Sequence, residues 1–152
     1  MELACSEIPH NSGEYWDAVQ IRDSVLRKPL GMEYRMEDLL AEEGSYHFAC
    51  RVDGKLAGSV ILRPKEDGLV QMRQFAVCEE LQGRGVGRAL ANYAEGFARG
   101  KGFREIILHA RVSVMEFYRK LGYFEEGEGF TEVGLPHILM SKQLETFATS
   151  YQ

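Results

Sequence analysis

The spacing of apolar residues changes twice along this chain. Over residues 14–28, EYWDAVQIRDSVLRK, the residues Trp16, Val19, Val25 and Leu26 fall roughly on one side of a helix. Pro29 and Gly31 stop that helix, and a shorter one is expected over 36–42. The period then switches from helical to alternating. SYHFACRV (45–52) and KLAGSVILR (55–63) read as strands joined by Asp53-Gly54, a strong hairpin signal. LVQMRQFAV (69–77) is a further strand after the Asp67-Gly68 turn. From Val86 the helical stripe returns at Leu90, Tyr93, Ala94 and Phe97 and ends at Gly100 and Gly102. FREIILHA (103–110) is a strand, SVMEFYRKLGY (113–123) a short helix stopping near Gly122, and HILMSKQL (137–144) a last strand. Residues 2–8 form a short first strand ended by Pro9. The order is helices, an antiparallel meander, then a β–loop–α–β–α–β tail. It predicts a mixed α/β (α+β) domain on one central sheet.

Composition narrows the function classes. A chain of 152 residues, 45% of them hydrophobic, fits one domain spanning 1–152 with a real core. The net charge of −5 argues against a general nucleic-acid binder and permits a cationic small molecule. No apolar run is long enough to span a membrane. The segment MELACSEIPH lacks the basic and apolar regions of a secretory signal. Cys5, Cys50 and Cys78 are widely separated, with no metal-ligand spacing. A reduced, cytoplasmic protein without a metal is expected.

Residues 81–90, LQGRGVGRAL, lie between the strand ending FAV and a helix. Unpaired N–H groups at a helix start favour an anion. Glycine lets the backbone adopt positive φ and approach a ligand closely, and successive N–H groups form an anion nest. Arg84 and Arg88 add phosphate donors. A nucleotide P-loop would need Lys-Ser/Thr here, and a dinucleotide fingerprint would need Gly-x-Gly-x-x-Gly/Ala; neither pattern is met.

Gln82-Gly83-Arg84-Gly85-Val86-Gly87 does meet the pattern Q/R-x-x-G-x-G/A. With FAV before it and FYRKLGY about thirty residues on, the chain resembles the GCN5-related N-acetyltransferase (GNAT) superfamily. FTEVGLPHILM (130–140), IRDSVLRKPLG (21–31) and HARVSVMEFYRKLGY (109–123) resemble its ElaA-like branch. The resemblance implies a mostly antiparallel twisted sheet flanked by helices, with two strands splayed around a CoA site. It implies that Gln82, Gly83, Arg84, Gly85, Val86, Gly87 and Arg88 hold the pyrophosphate of acetyl-CoA. Phe75, Ala76 and Val77 would pair with the pantetheine arm. Members commonly dimerise, so a homodimer is an expectation.

The implied reaction is direct transfer of an acetyl group to a primary amine of a small molecule or peptide. It needs donors for the thioester oxygen and for the departing thiolate. Tyr118 matches the family tyrosine near the CoA sulfur, as general acid or hydrogen-bond donor. Many members carry Asn seven positions earlier, where this chain has Arg111. Ser113 is a candidate cofactor contact and helix cap. The base is open among His137, Glu132 and water. The carboxylates Glu125, Glu126, Glu128 and Glu132 either concentrate an amine or form a solvated face. Cys78 reads as a packing residue, and His47 and His109 as core or edge residues. The alternative to an enzyme is a non-catalytic CoA-binding regulatory module.

Overall fold

The computed structural model describes residues 1–145. The strands are β1 (Leu3–Ile8), β2 (Tyr46–Val52), β3 (Lys55–Pro64), β4 (Leu69–Val77), β5 (Glu105–Arg111), β6 (Phe124–Glu132) and β7 (Leu135–Gln143). The helices are α1 (Gly13–Arg22), α2 (Met36–Leu40), α3 (Val86–Gly100) and α4 (Met115–Lys120). Neighbouring strands follow the order β1-β2-β3-β4-β5-β7-β6. This is the mixed α/β class that the sequence predicts. Two compact units share β4 and α3: Met1–Arg63 with Arg73–Ala94, and Pro64–Met72 with the described residues from Glu95.

In the first unit β1, β2 and β3 pair antiparallel, with Cys5↔Cys50 and Ala49↔Ser59 in register. Asp53 (φ 49°) and Gly54 (φ 84°) make the expected hairpin turn. Alternation sends Ala49 into a cluster with Ile8, Tyr15, Ala18, Val19 and Leu39. Phe48, its neighbour, meets the Tyr93 ring of α3 edge-on at 5.6 Å. The first helix is capped by Ser12, whose Oγ accepts from the Tyr15 N–H at 3.2 Å.

That helix differs from the predicted one. Its α-helical part stops at Arg22, and Asp23–Arg27 form a π-helical turn. The wider turn shifts the phase of every later residue. Before that turn the buried face is Tyr15, Ala18, Val19 and Arg22, with Trp16 half-buried; within it Val25 and Leu26 are only half-buried.

In the second unit β4 pairs parallel with β5 over Leu69–Met72 and Glu105–Leu108 only. The short ladder is the early parting of two strands that the resemblance implies. β5 pairs antiparallel with β7, and β7 with β6. β6 is a strand the apolar pattern does not predict: all nine of its residues are exposed. Glu95 is buried and braced: Tyr123 Oη donates to it at 2.9 Å and Lys142 Nζ at 2.8 Å. Among the described residues no helix is long and apolar enough to cross a membrane. None of their His, Cys, Asp and Glu side chains form a group that could hold a metal ion.

The first unit also buries charge. Arg22 is 1% exposed and donates to both oxygens of Glu42, at 2.9 and 2.6 Å. Tyr15 Oη donates to the same carboxylate at 2.8 Å. Burial pushes the Glu42 pKa up, but the Arg22 hydrogen bonds and charge outweigh it and hold the carboxyl below its ordinary range. Buried His47, whose Nε2 lies 2.9 Å from the Glu42 carbonyl, has its pKa lowered by desolvation. Both depressions act in the same direction. The unfolded chain binds these protons first, so stability is present at neutral pH and lost on acidification. The melting temperature should begin to fall below about pH 6.5, the ordinary histidine value. His47→Gln should flatten that upper part of the profile in a calorimetric pH series. An unchanged slope would show that His47 does not couple protons to folding.

Candidate active site

The first unit builds an anion cradle from backbone. β4 ends at Val77, and the Cys78 N–H donates to the Ala57 carbonyl at 2.8 Å. The side chain of Gln82 turns back and donates to the Val77 carbonyl at 3.0 Å. Gln82 thus braces the loop against the strand end. Gly83 (φ 79°) and Gly85 (φ 89°) take the left-handed conformation, and a Cβ built on either meets no atom within 4 Å. The Ala89 N–H donates to the Gly85 carbonyl at 3.0 Å. The N–H groups of Gly85, Val86, Gly87 and Arg88 therefore precede the first closed helical turn and have no acceptor within the helix. Val86 is buried and roots the helix, whereas Arg84 and Arg88 are exposed. Bare backbone, free helix N–H groups and two exposed cations fit a diphosphate.

The strand leading into this loop is bent. Phe75 is half-buried, and Ala76 and Val77 are buried. Just before them Gln74 has φ 54°, a conformation that costs a non-glycine residue about 1–3 kcal/mol. Gly58 of β3 permits the close packing here, because a Cβ on it would lie 2.8 Å from the Ala76 carbonyl oxygen. Neither Gln74 nor Gly58 is flagged by any sequence pattern. Burial, followed by the Glu80 charge, pushes the Cys78 pKa up, so Cys78 stays a thiol and packs. A cavity of about 440 Å³ opens among α1, the π turn and residues 78–82. The charged residues that line it are Asp17, Glu79 and Glu80.

The second unit carries the remaining candidates. Tyr118 lies on α4 and is 9% exposed, with its ring edge-on to Phe117 at 5.1 Å and to Tyr123 at 5.9 Å. Desolvation raises its pKa, a shift the Arg111 charge only partly offsets. The phenol therefore keeps its proton throughout the neutral range. Ser113 is exposed in a 3-10 turn (Val112–Val114). It does not cap α4: the cap position is Val114 and no side chain bonds there. The extra turn before α4 displaces serine from the capping position.

His137 and Glu132 do come together. The two-residue turn Val133-Gly134 closes the β6–β7 hairpin and pairs Glu132 with Leu135. His137 is 3% exposed, and its Nδ1 lies 2.8 Å from the Leu135 carbonyl. A carbonyl only accepts, so Nδ1 carries the hydrogen and Nε2 holds the lone pair. Nε2 is 3.7 Å from Glu132 Oε2. His109, read from sequence as a core or edge residue, completes the group: its Nδ1 donates to Glu132 Oε1 at 2.9 Å. The Phe130 ring stacks on His137 at 5.9 Å and meets His109 edge-on at 5.1 Å. One carboxylate is thus held between two imidazoles. The other acidic residues of β6 are partly occupied: Glu125 accepts from Arg119 at 2.7 Å and Glu126 from Ser141 at 2.7 Å.

The model of the acetyltransferase (GNAT) family matches residues 14–123. An uncharacterized N-acetyltransferase of Bacillus subtilis (strain 168), YitI, is 30% identical over 137 residues, 86% of this chain and 92% of its own. The crystal structure of Escherichia coli ElaA superposes with a TM-score of 0.79 at 21% identity, covering 93% of this chain and 99% of that one. An aminoglycoside 6′-N-acetyltransferase complexed with coenzyme A gives a TM-score of 0.75 at 20% identity, over 92% and 96%. At these identities the two structures establish a shared fold.

Proposed function

The chain belongs to the acetyltransferase (GNAT) family, whose cosubstrate is acetyl-CoA, and we propose that it moves the acetyl group to a primary amine by direct attack in a ternary complex. Residues 1–152 act as one N-acetyltransferase domain in this reading. The observation that carries it is the loop at the start of α3, where Gly83 and Gly85 adopt positive φ with open space beside them. Its N–H groups bind the pyrophosphate, with Arg84 and Arg88 as charged donors. Phe75, Ala76 and Val77 offer backbone to the pantetheine arm. The acceptor is an amine that arrives as a cation; the carboxylates Asp17, Glu79 and Glu80 around the cavity near the loop favour that charge.

The amine must lose a proton before or as it attacks. His137 takes it on Nε2, and Glu132 stabilises the resulting imidazolium. Glu132 is the solvent-facing member of the pair, with 45% of its side chain exposed against 4% for His137. The nitrogen–carbon bond forms, the carbon–sulfur bond breaks, the electron pair leaves on sulfur as a thiolate, and the second proton of the arriving ammonium passes to water. Tyr118 donates a hydrogen bond to that thiolate. Its raised pKa favours hydrogen bonding over full proton transfer, since a buried phenolate is costly.

Calorimetric titration tests the cofactor. Acetyl-CoA should bind and ATP and NADPH should not, and Gly85→Val should abolish binding in a protein that remains folded. Equal acetyl-CoA affinity in that variant would remove the loop from the site. Tyr118→Phe should lower kcat by about a hundredfold to a thousandfold, the loss of one aligned donor, with little change in acetyl-CoA affinity. The opposite pattern would mark a packing residue, and no turnover with any amine would leave a CoA-binding module. His137→Gln should remove the acidic limb of the pH–rate profile; an unaltered limb would assign the proton to another acceptor.

A further inference from the structure

We propose that Tyr34 is a positioning residue for the acyl-CoA strand, tying the buried Arg22–Glu42 pair to Gln74 and so holding the bend from which Phe75–Val77 run. The proposal rests on the functional reading above and assigns it a residue outside the loop and the proton-handling group.

Gln74 is the point that needs holding. Four other described non-glycine residues have positive φ (Asn11, Asp53, Asp67 and Val133), and all four lie in turns. Gln74 alone among them sits inside a strand. A strand residue in this conformation relaxes unless its surroundings determine it. The determining contact is explicit: Tyr34 Oη donates to Gln74 Oε1 at 2.5 Å, across 40 residues of sequence.

Tyr34 has no secondary structure of its own, so its place comes from its neighbours. Arg22 Nε donates to Tyr34 Oη at 3.4 Å. The guanidinium carbons of Arg22 and Arg27 lie 4.8 and 4.7 Å from the ring centroid, within cation–π range. Arg22 is itself immobilised by its two bonds to Glu42. The π turn explains how both arginines reach one ring. Five residues apart on an ordinary α-helix they would point about 140° apart. The wider turn over Asp23–Arg27 brings them towards the same side. Position therefore passes from a buried ion pair, through one phenol, to the bend preceding the cofactor-binding backbone.

Tyr34 also lines a cavity of about 500 Å³ with Asp23 and Glu33, so an acceptor contact is the competing role. Tyr34→Phe separates the two, because it keeps the ring between the arginines and removes only the hydroxyl. In ligand-free protein, amide hydrogen exchange over 74–77 should quicken several-fold while β2 and α3 keep their protection. The Kd for acetyl-CoA should rise about tenfold, in keeping with the sensitivity of bound geometry to small displacements. Adding Gln74→Gly should recover much of that affinity, because glycine adopts the bend without a tether. Unchanged exchange in Tyr34→Phe would overturn the proposal. Quickened exchange with unaltered acetyl-CoA affinity would overturn it as well, leaving a purely local contact. Exchange is read without ligand, so a wild-type protein that fails to bind acetyl-CoA defeats the proposed function while the exchange result still decides whether Tyr34 holds the bend.

Discussion

The first unit is organised around one buried ion pair. Arg22 and Glu42 lie 20 positions apart and meet in a double hydrogen bond. Burying two charges is favourable only when the geometry is good and the remaining lone pairs find donors. Tyr15 supplies one such donor, and His47 contacts the carbonyl of the same residue. Removing either charge would strand the other, at about 3–5 kcal/mol. The pair thus ties the end of α1 to the segment before β2 and holds the arginine that donates to Tyr34.

In the proposed reaction, binding and proton handling use different physical means. The cradle at the start of α3 is made of backbone: glycine φ angles, free N–H groups and the absence of side chains. Such a surface accepts phosphate without regard to what the phosphate carries. The Glu132 group is made of side chains whose roles depend on fixed tautomers and a carboxylate shared between two rings. Binding tolerates exposed arginines, because a cation at the rim acts over distance. Proton transfer requires atoms held near hydrogen-bond distance, and a closed hairpin provides that rigidity.

Much of this was legible in the chain. Asp53-Gly54 gives its hairpin because both residues tolerate positive φ. LVQMRQFAV gives β4 at the residues expected. The positive φ angles of Gly83 and Gly85 were legible because only glycine adopts them without strain. The misses share a cause. β6 is exposed throughout and carries no apolar alternation, and its turn uses Val133 at φ 46°, a residue no turn rule selects. The π turn after Arg22 leaves no periodic trace, so the half-burial of Val25 and Leu26 goes unread in the sequence. Ser113 looks like a cap until an added 3-10 turn displaces it.

The sequence by itself determined the class of fold, the strand–loop–helix cradle and the identity of the groups available for chemistry. These follow from local rules: side-chain period, glycine's conformational freedom and the unpaired N–H groups of a helix start. Only the tertiary structure decided which of those groups meet. His109 and Glu132 are 23 residues apart, and Tyr34 and Gln74 are 40 apart. Each pair forms because strand register and a buried charge bring the two segments together. Long-range pairing of that kind is set by the packing of the whole unit, and no local window of the chain contains it.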